Sequence, residues 1–131
     1  MSDACLGRTR CRTWGLPHTL LLPSGVMQNF LASAQYVADQ GVLYGMTGET
    51  PISYIDTRDV AAVAAQVLTS PGHQGKAYTL TGPEALSGDE VHDGRRPRRR
   101  VTDEVARLIG GQPRTFAQFA AERRVVFGGQ Q

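Results

Sequence analysis

The sequence of 131 residues contains no apolar run that approaches the length of a membrane span. Its first residues also lack the apolar segment of a secretory signal peptide. Both absences argue against a membrane-inserted or exported protein, so we expect a soluble, cytoplasmic one. With 40% apolar residues, the chain can still build the core of one ordinary domain.

Cysteine is scarce, and the two cysteines do not form a metal-binding pattern. Cys5 and Cys11 have the spacing C-x5-C, which matches no common zinc site, and no second pair completes one. The three histidines, His18, His73 and His92, lie far apart in the sequence. We therefore predict two free thiols and no metal site.

Lysine is almost absent, and the arginines are unevenly distributed. Lys76 is the only lysine, and five arginines fall within Arg95–Arg100, although the net charge is only +2. Such a run could bind phosphate backbones, but it has no interleaved aromatic residues and no DNA-reading helix beside it. We favour a solvated junction and keep an Arg-rich nucleic-acid binder as the less favoured alternative.

A strand, a turn and a helix follow one another at the start of the ordered sequence. Thr19–Leu22 is a short apolar run that predicts a buried strand, and Pro23 ends it because proline cannot donate to a sheet. Ser24 and Gly25 make the turn. In open α/β sheets ligands bind at the carboxyl ends of strands, so this turn is the first place to look for a site. Apolar residues then recur at helical intervals on one face: Met27, Phe30, Leu31, Ala34, Val37 and Ala38.

A second strand–helix unit begins at Ile52–Ile55, whose alternation predicts a strand. Asp56 should cap the next helix, and Asp59 adds a second negative charge to its first turn. We interpret both carboxylates as helix-capping groups rather than as an acid–base pair. The apolar face predicted for this helix is Val60, Val63, Ala64, Val67 and Leu68.

The rest of the chain predicts a strand and two short helices, which completes an α/β pattern. The strand is Lys76–Leu80. A capping box at Ser87–Glu90 indicates a helix start, but no helical periodicity follows it. Thr102 should cap one C-terminal helix, and Thr115 should cap another through a capping box with Gln118.

Three segments, TLLLPSGVMQNF, ISYIDTRDVAAVAAQVL and GKAYTLTGPEALSGDEV, together resemble the NmrA-like branch of the atypical short-chain dehydrogenase/reductases. The resemblance covers roughly Gly15–Val91, and PRTFAQFAAERR resembles the family's C-terminal helix. It implies a Rossmann domain that binds NAD(P), and a role as an NAD(P)H-dependent quinone or azo reductase or as a redox-sensing regulator. It also implies that Leu22, Pro23, Ser24 and Gly25 pass beside the nicotinamide.

Two chemical signatures of the wider family are missing. Gly41, Gly45 and Gly48 give G-x3-G-x2-G, but a predicted strand follows instead of the helix that a phosphate-binding loop needs, so we predict a hairpin turn. The Tyr-x3-Lys pair is replaced by Tyr54-x3-Arg58, and arginine is not an equivalent partner. We therefore predict no catalytic residue in this chain.

These departures lead us to expect the C-terminal half of a Rossmann-like fold, with an internal deletion and with C-terminal helices. We predict an irregular tail over 1–14 and a partial NmrA-like region over 15–93. We also predict an Arg-rich junction over 94–100 and a C-terminal helical segment over 101–131.

The expected function follows from what the partial fold retains. Without the phosphate loop, we expect the chain to bind NAD(P) poorly by itself. The alternative is a non-catalytic remnant or a partner-binding fragment. Missing strands would leave an unpaired sheet edge, through which the chain could self-associate or bind a protein partner.

Overall fold

The computed structural model describes residues 9–10, 13–40, 51–86 and 101–127. Several sequence predictions lie outside these residues. They concern the two cysteines, the glycines Gly41, Gly45 and Gly48, the capping box Ser87–Glu90, His92, and the run Arg95–Arg100.

The sheet of the described residues consists of two parallel strands, β1 (Leu20–Pro23) and β2 (Ala77–Leu80). The Leu20 N–H donates to the Lys76 carbonyl and the Ser24 N–H donates to the Leu80 carbonyl, each at 2.9 Å. Because amides alternate along a strand, the Pro23 nitrogen faces away from β2, and its missing N–H costs no ladder bond. The predicted end of the strand at Pro23 is confirmed.

The segment after the turn is helical, but its first half is not the predicted α-helix. Met27–Ser33 forms a 3₁₀-helix, and α1 spans only Ala34–Gln40. A 3₁₀-helix places side chains at i and i+3 above one another, so both Met27 and Phe30 are buried in the core. The prediction that Ala38 belongs to the buried face is wrong, because this side chain is exposed.

The strand predicted for Ile52–Ile55 is also wrong. The segment makes only two isolated bridges, one antiparallel from Ile52 to Leu86 and one parallel from Ile55 to Val26. Tyr54 and Ile55 are both buried although they are adjacent, so the segment does not alternate between two faces of a sheet. Its two ends bridge to different segments, at Leu86 and at Val26, so no continuous ladder of hydrogen bonds forms along it.

Helix α2 spans Thr57–Thr69 and packs against β2 through Val63, which shares a core cluster with Tyr78 and Leu80. Asp56 caps it as predicted, since its carboxylate accepts from the Arg58 N–H at 2.9 Å. Val63 is completely buried, whereas Leu68 is 85% exposed, so the predicted apolar face is wrong at this last position. Leu68 lies near the end of α2 and lines an open groove instead of packing in the core.

Two short helices, α3 (Glu104–Ile109) and α4 (Phe116–Glu122), form the C-terminal part. The predicted capping box between Thr115 and Gln118 is confirmed, with bonds of 3.1 and 2.9 Å. Thr102 does not cap α3; its hydroxyl donates to the Thr79 carbonyl at 2.7 Å and so ties this segment to β2. The Thr102 hydroxyl thus donates to a distant carbonyl instead of accepting from a backbone N–H in the first turn of α3.

The core consists of two clusters. The first lies between the sheet, α2 and α3, and the second surrounds the 3₁₀-helix and α4. No helix in the described ranges combines the length and apolar character needed to cross a bilayer. The buried members of the first cluster are Ile55, Val63, Tyr78, Leu80 and Val105, and those of the second are Met27, Phe30, Tyr54 and Phe119.

Candidate functional site

The predicted site residues form one continuous turn at the carboxyl end of β1. Leu22 is half-buried and Pro23 is exposed, while Ser24 and Gly25 are half-buried. The Ser24 N–H is bound to the end of β2, and the Gly25 carbonyl accepts from the Ile55 N–H at 2.9 Å. The turn is therefore held at the position that ligand sites occupy in α/β sheets.

Two glycines allow this turn and the end of β2 to approach the Tyr54 segment closely. A Cβ added at Gly25 would lie 2.8 Å from the Tyr54 ring, and one at Gly82 would overlap the Tyr54 carbonyl. Neither glycine has the positive φ of a left-handed turn. Both are thus required by close packing, and the space beside Gly25 is already filled by the Tyr54 ring.

The Tyr54-x3-Arg58 spacing does not produce a tyrosine–cation pair. Tyr54 is only 6% exposed, and burial raises the pKa of its phenol, which disfavours the phenolate form. The Arg58 guanidinium instead contacts the carboxylates of Asp56 at 2.7 Å and Glu122 at 2.6 Å. These contacts raise the pKa of Arg58 and leave its cation to a structural role joining α2 to α4.

The Asp56 carboxylate is fully buried and accepts hydrogen bonds from Gln28 and Arg58. Burial works to raise the pKa of its carboxyl group, but hydrogen bonds from the Arg58 side chain and backbone and from Gln28 outweigh it. The pKa therefore lies well below its usual value. The Gln28 oxygen also accepts from the Thr57 N–H at 3.0 Å, so the network holds the 3₁₀-helix against the start of α2. The capping interpretation of Asp56 is confirmed.

Asp59 has a role that its place in the first turn of α2 did not reveal. It is 2% exposed and accepts from Arg114 twice, from the backbone N–H at 2.7 Å and from the guanidinium at 2.6 Å. Capping alone is therefore an incomplete interpretation of this carboxylate. Its partner is 55 residues away, and no local pattern in the sequence could indicate the pair.

A groove of about 620 Å³ opens at the other end of the sheet, between β1, α2 and the loop that precedes β2. Ser70 and His73 line this groove, and together with the buried Tyr78 they make a hydrogen-bonded chain that superficially resembles a nucleophile with its base. The Ser70 hydroxyl, however, donates to the Gln66 carbonyl at 2.6 Å. It must then accept from His73 Nε2 at 2.8 Å, while His73 Nδ1 accepts from Tyr78. The proton of Ser70 thus points away from His73. These hydrogen bonds fix the C-terminal end of α2, where Ser70 is the C-cap residue.

The described residues contain no candidate metal site. Among residues 9–10, 13–40, 51–86 and 101–127, no three histidine, cysteine or acidic side chains come close enough to bind an ion together. Of the predicted isolated histidines, His18 bonds the Leu16 carbonyl and His73 bonds Ser70 and Tyr78.

The parallel strands β1 and β2, the helix α2 that lies between them in the chain, and the turn at the carboxyl end of β1 define a Rossmann-like α/β fold. This agrees with solved structures: an NADPH-dependent quinone oxidoreductase from Escherichia coli superposes with a TM-score of 0.75 at 21% identity, over 90% of this chain and 59% of that chain. The same type of enzyme in complex with NADPH superposes with a TM-score of 0.72 at 22% identity, over 87% of this chain and 56% of that chain. The predicted fold class is confirmed.

The chain is also similar in sequence to curated reductases. An NAD(P)H azoreductase from Xenophilus azovorans is 51% identical over 77 residues, which are 59% of this chain and 27% of the azoreductase. A (4-alkanoyl-5-oxo-2,5-dihydrofuran-3-yl)methyl phosphate reductase from Streptomyces griseus is 34% identical over 111 residues, 85% of this chain and 36% of that reductase. The chain thus spans about a quarter to a third of the length of these curated relatives. No family model matches it.

Proposed function

We propose that this chain is the C-terminal part of an NmrA-like NAD(P)H-dependent reductase and that Leu22, Pro23, Ser24 and Gly25 form its nicotinamide-side wall. The observation that carries the proposal is the position of this turn, at the carboxyl end of a parallel strand in a Rossmann-like fold. The similarity to an azoreductase supports the same chemistry. NAD(P)H would supply a hydride when bound, and this chain would help to orient the ring.

Few hydrogen-bonding groups at this turn remain available to a ligand, and this limits the affinity of the chain for NADPH. The Ser24 N–H and the Gly25 carbonyl are used within the protein, and the Tyr54 ring fills the space beside Gly25. The Pro23 carbonyl faces away from β2, and the Ser24 hydroxyl makes no hydrogen bond among the described residues. These two oxygens can accept from a carboxamide, but they provide little binding free energy.

The phosphate half of the site has no counterpart in the 131 residues. The sequence contains no glycine-rich turn between a strand and a helix N-terminus, which is the element that binds the pyrophosphate. We therefore propose that this chain alone binds NADPH weakly, with a Kd of about 1 mM or above. In this form it would be a non-catalytic remnant of the reductase family.

Titration with NADPH, followed by calorimetry and by ligand-observed NMR, tests both parts of the proposal. The variant Ser24→Ala should weaken the residual binding roughly two- to tenfold, the effect of one lost hydrogen bond. Thr69→Ala is the matched control, because its hydroxyl donates to the Ala65 carbonyl on the far end of α2. Micromolar binding by the unaltered chain would contradict the weak-binding claim, and equal effects of the two variants would contradict the role of the turn.

A further inference from the structure

The exit of the strand-end turn is attached to a distant segment through its backbone. The Gly25 carbonyl accepts from the Ile55 N–H, and the Met27 N–H donates to the Ile55 carbonyl, each at 2.9 Å. Because both bonds meet the same residue, they fix the position of the chain on this side but leave it able to turn about Ile55. Gly25 itself adds little restraint, since glycine adopts many backbone conformations. A second point of attachment is what sets the direction of the turn.

Gln28, three residues beyond Gly25, supplies this second attachment through its side chain. Its Nε2 donates to the Asp56 Oδ1 at 2.9 Å, and its Oε1 accepts from the Thr57 N–H at 3.0 Å. Within the part of the chain that the structure describes, the 3₁₀-helix of Gln28 has no side-chain cap at its own N-terminus. Gln28 instead satisfies the first amide of α2, and Asp56 satisfies the next one, at Arg58. The two side chains thus share the cap of α2 although they lie 28 positions apart.

The chemistry of this contact selects glutamine. One end of the side chain must donate to a carboxylate and the other must accept from an amide, and a carboxamide does both at once. An ionised carboxyl group at the same place would accept from Thr57 but would meet the buried Asp56 with like charge. A protonated carboxyl group of the same length would restore both bonds. The charged groups linked to this contact are Asp56 and Arg58 on α2, and Glu122 on α4, which lies 2.6 Å from the Arg58 guanidinium.

We propose that Gln28 is the positioning residue of the strand-end turn and holds it in the direction that presents its free acceptors to the nicotinamide. This inference rests on the proposed function of the turn. Gln28 acts through the backbone at Ile55 and does not itself contact the cofactor. When its two bonds are lost, Ile55 remains as a pivot, the turn opens more often, and the Pro23 carbonyl and the Ser24 hydroxyl lose their fixed direction.

Amide hydrogen exchange, followed residue by residue by NMR, tests this role because the Ser24 and Ile55 amides are bonded at the two ends of the turn. Gln28→Glu should make both amides exchange at least about tenfold faster than in the unaltered chain at neutral pH. At about pH 5 this ratio should fall towards one, because the Asp56 carboxylate raises the pKa of the introduced carboxyl group and keeps it protonated. Gln28→Met removes both bonds without adding charge, so it should give the same raised ratio at both pH values.

Gln35→Glu is the matched control for this experiment. Gln35 also donates to a carboxylate at 2.9 Å, that of Asp39, but the pair is exposed and lies within one turn of α1. The exchange ratios at Ser24 and Ile55 should stay near one for this variant at both pH values. Circular dichroism of every variant at each pH checks that the chain is folded. If Gln28→Glu does not fold at neutral pH, the ratio measured for Gln28→Met decides.

Three results would overturn the proposal. The first is equal ratios for Gln28→Glu and Gln35→Glu. The second is faster exchange of the Thr57 amide without any change at Ser24 and Ile55, because Gln28 would then cap α2 without positioning the turn. The third is a ratio for Gln28→Glu that does not depend on pH, since the shared hydrogen bonds would then not be its cause.

Titration with NADPH at neutral pH separates this proposal from the proposed function. Gln28→Glu should weaken the residual binding roughly two- to tenfold, whereas Gln35→Glu should leave it unchanged. Equal binding by these two variants would contradict the link between Gln28 and the cofactor. A chain that binds no NADPH at all would contradict the proposed function, and the exchange ratios would still decide whether Gln28 positions the turn.

Discussion

Replacing Arg114 by alanine removes the guanidinium from a carboxylate, Asp59, that is only 2% exposed. The Arg114 backbone N–H stays and still donates to one carboxylate oxygen, but the other oxygen loses its partner at 2.6 Å. Removing one partner of a buried ion pair costs about 3–5 kcal/mol. The Arg114 side chain is 40% exposed, so solvent reduces the loss, and we expect about 2 kcal/mol.

Urea unfolding followed by far-UV circular dichroism measures this loss. For a chain of this size, about 2 kcal/mol also corresponds to a decrease in Tm of roughly 8 °C. Arg124→Ala is the matched control, because Arg124 is exposed and has no salt bridge within the described residues. A double-mutant cycle with Asp59→Asn should give a coupling free energy of at least about 1 kcal/mol. If Arg114→Ala and Arg124→Ala differ by less than about 0.5 kcal/mol, the argument that Asp59 depends on Arg114 is refuted.

Two further predictions concern the residues around the strand-end turn. The pKa of Asp56 is lowered in the folded state, so its stabilising effect is complete above its unfolded pKa of about 4 and is lost as the pH falls below that value. Asp56→Asn should lower the free energy of unfolding at neutral pH and flatten its dependence between about pH 4 and pH 2, measured by urea unfolding at each pH; an unchanged slope would contradict the assignment. Gly25→Ala should cost about 1–3 kcal/mol because the Tyr54 ring must move, whereas Gly82→Ala, which meets backbone, should prevent the native packing. Thermal unfolding compares these two variants, and equal stabilities would show that the junction can rearrange.

The elements that the sequence predicted correctly are those whose causes are local. The Asp56 cap and the Thr115–Gln118 box each depend on residues within three positions of one another. The strand that ends at Pro23 follows from a property of proline itself. For the same reason the fold class could be predicted, since it requires only the order of such elements.

The errors arise where a distant residue decides the conformation. Met27 begins a 3₁₀-helix after its N–H has bonded to the Ile55 carbonyl, and Thr102 leaves its predicted cap for the Thr79 carbonyl. The pairing of Asp59 with Arg114 spans 55 residues. Helical periodicity and capping rules describe neighbours along the chain, so they cannot indicate contacts of this kind.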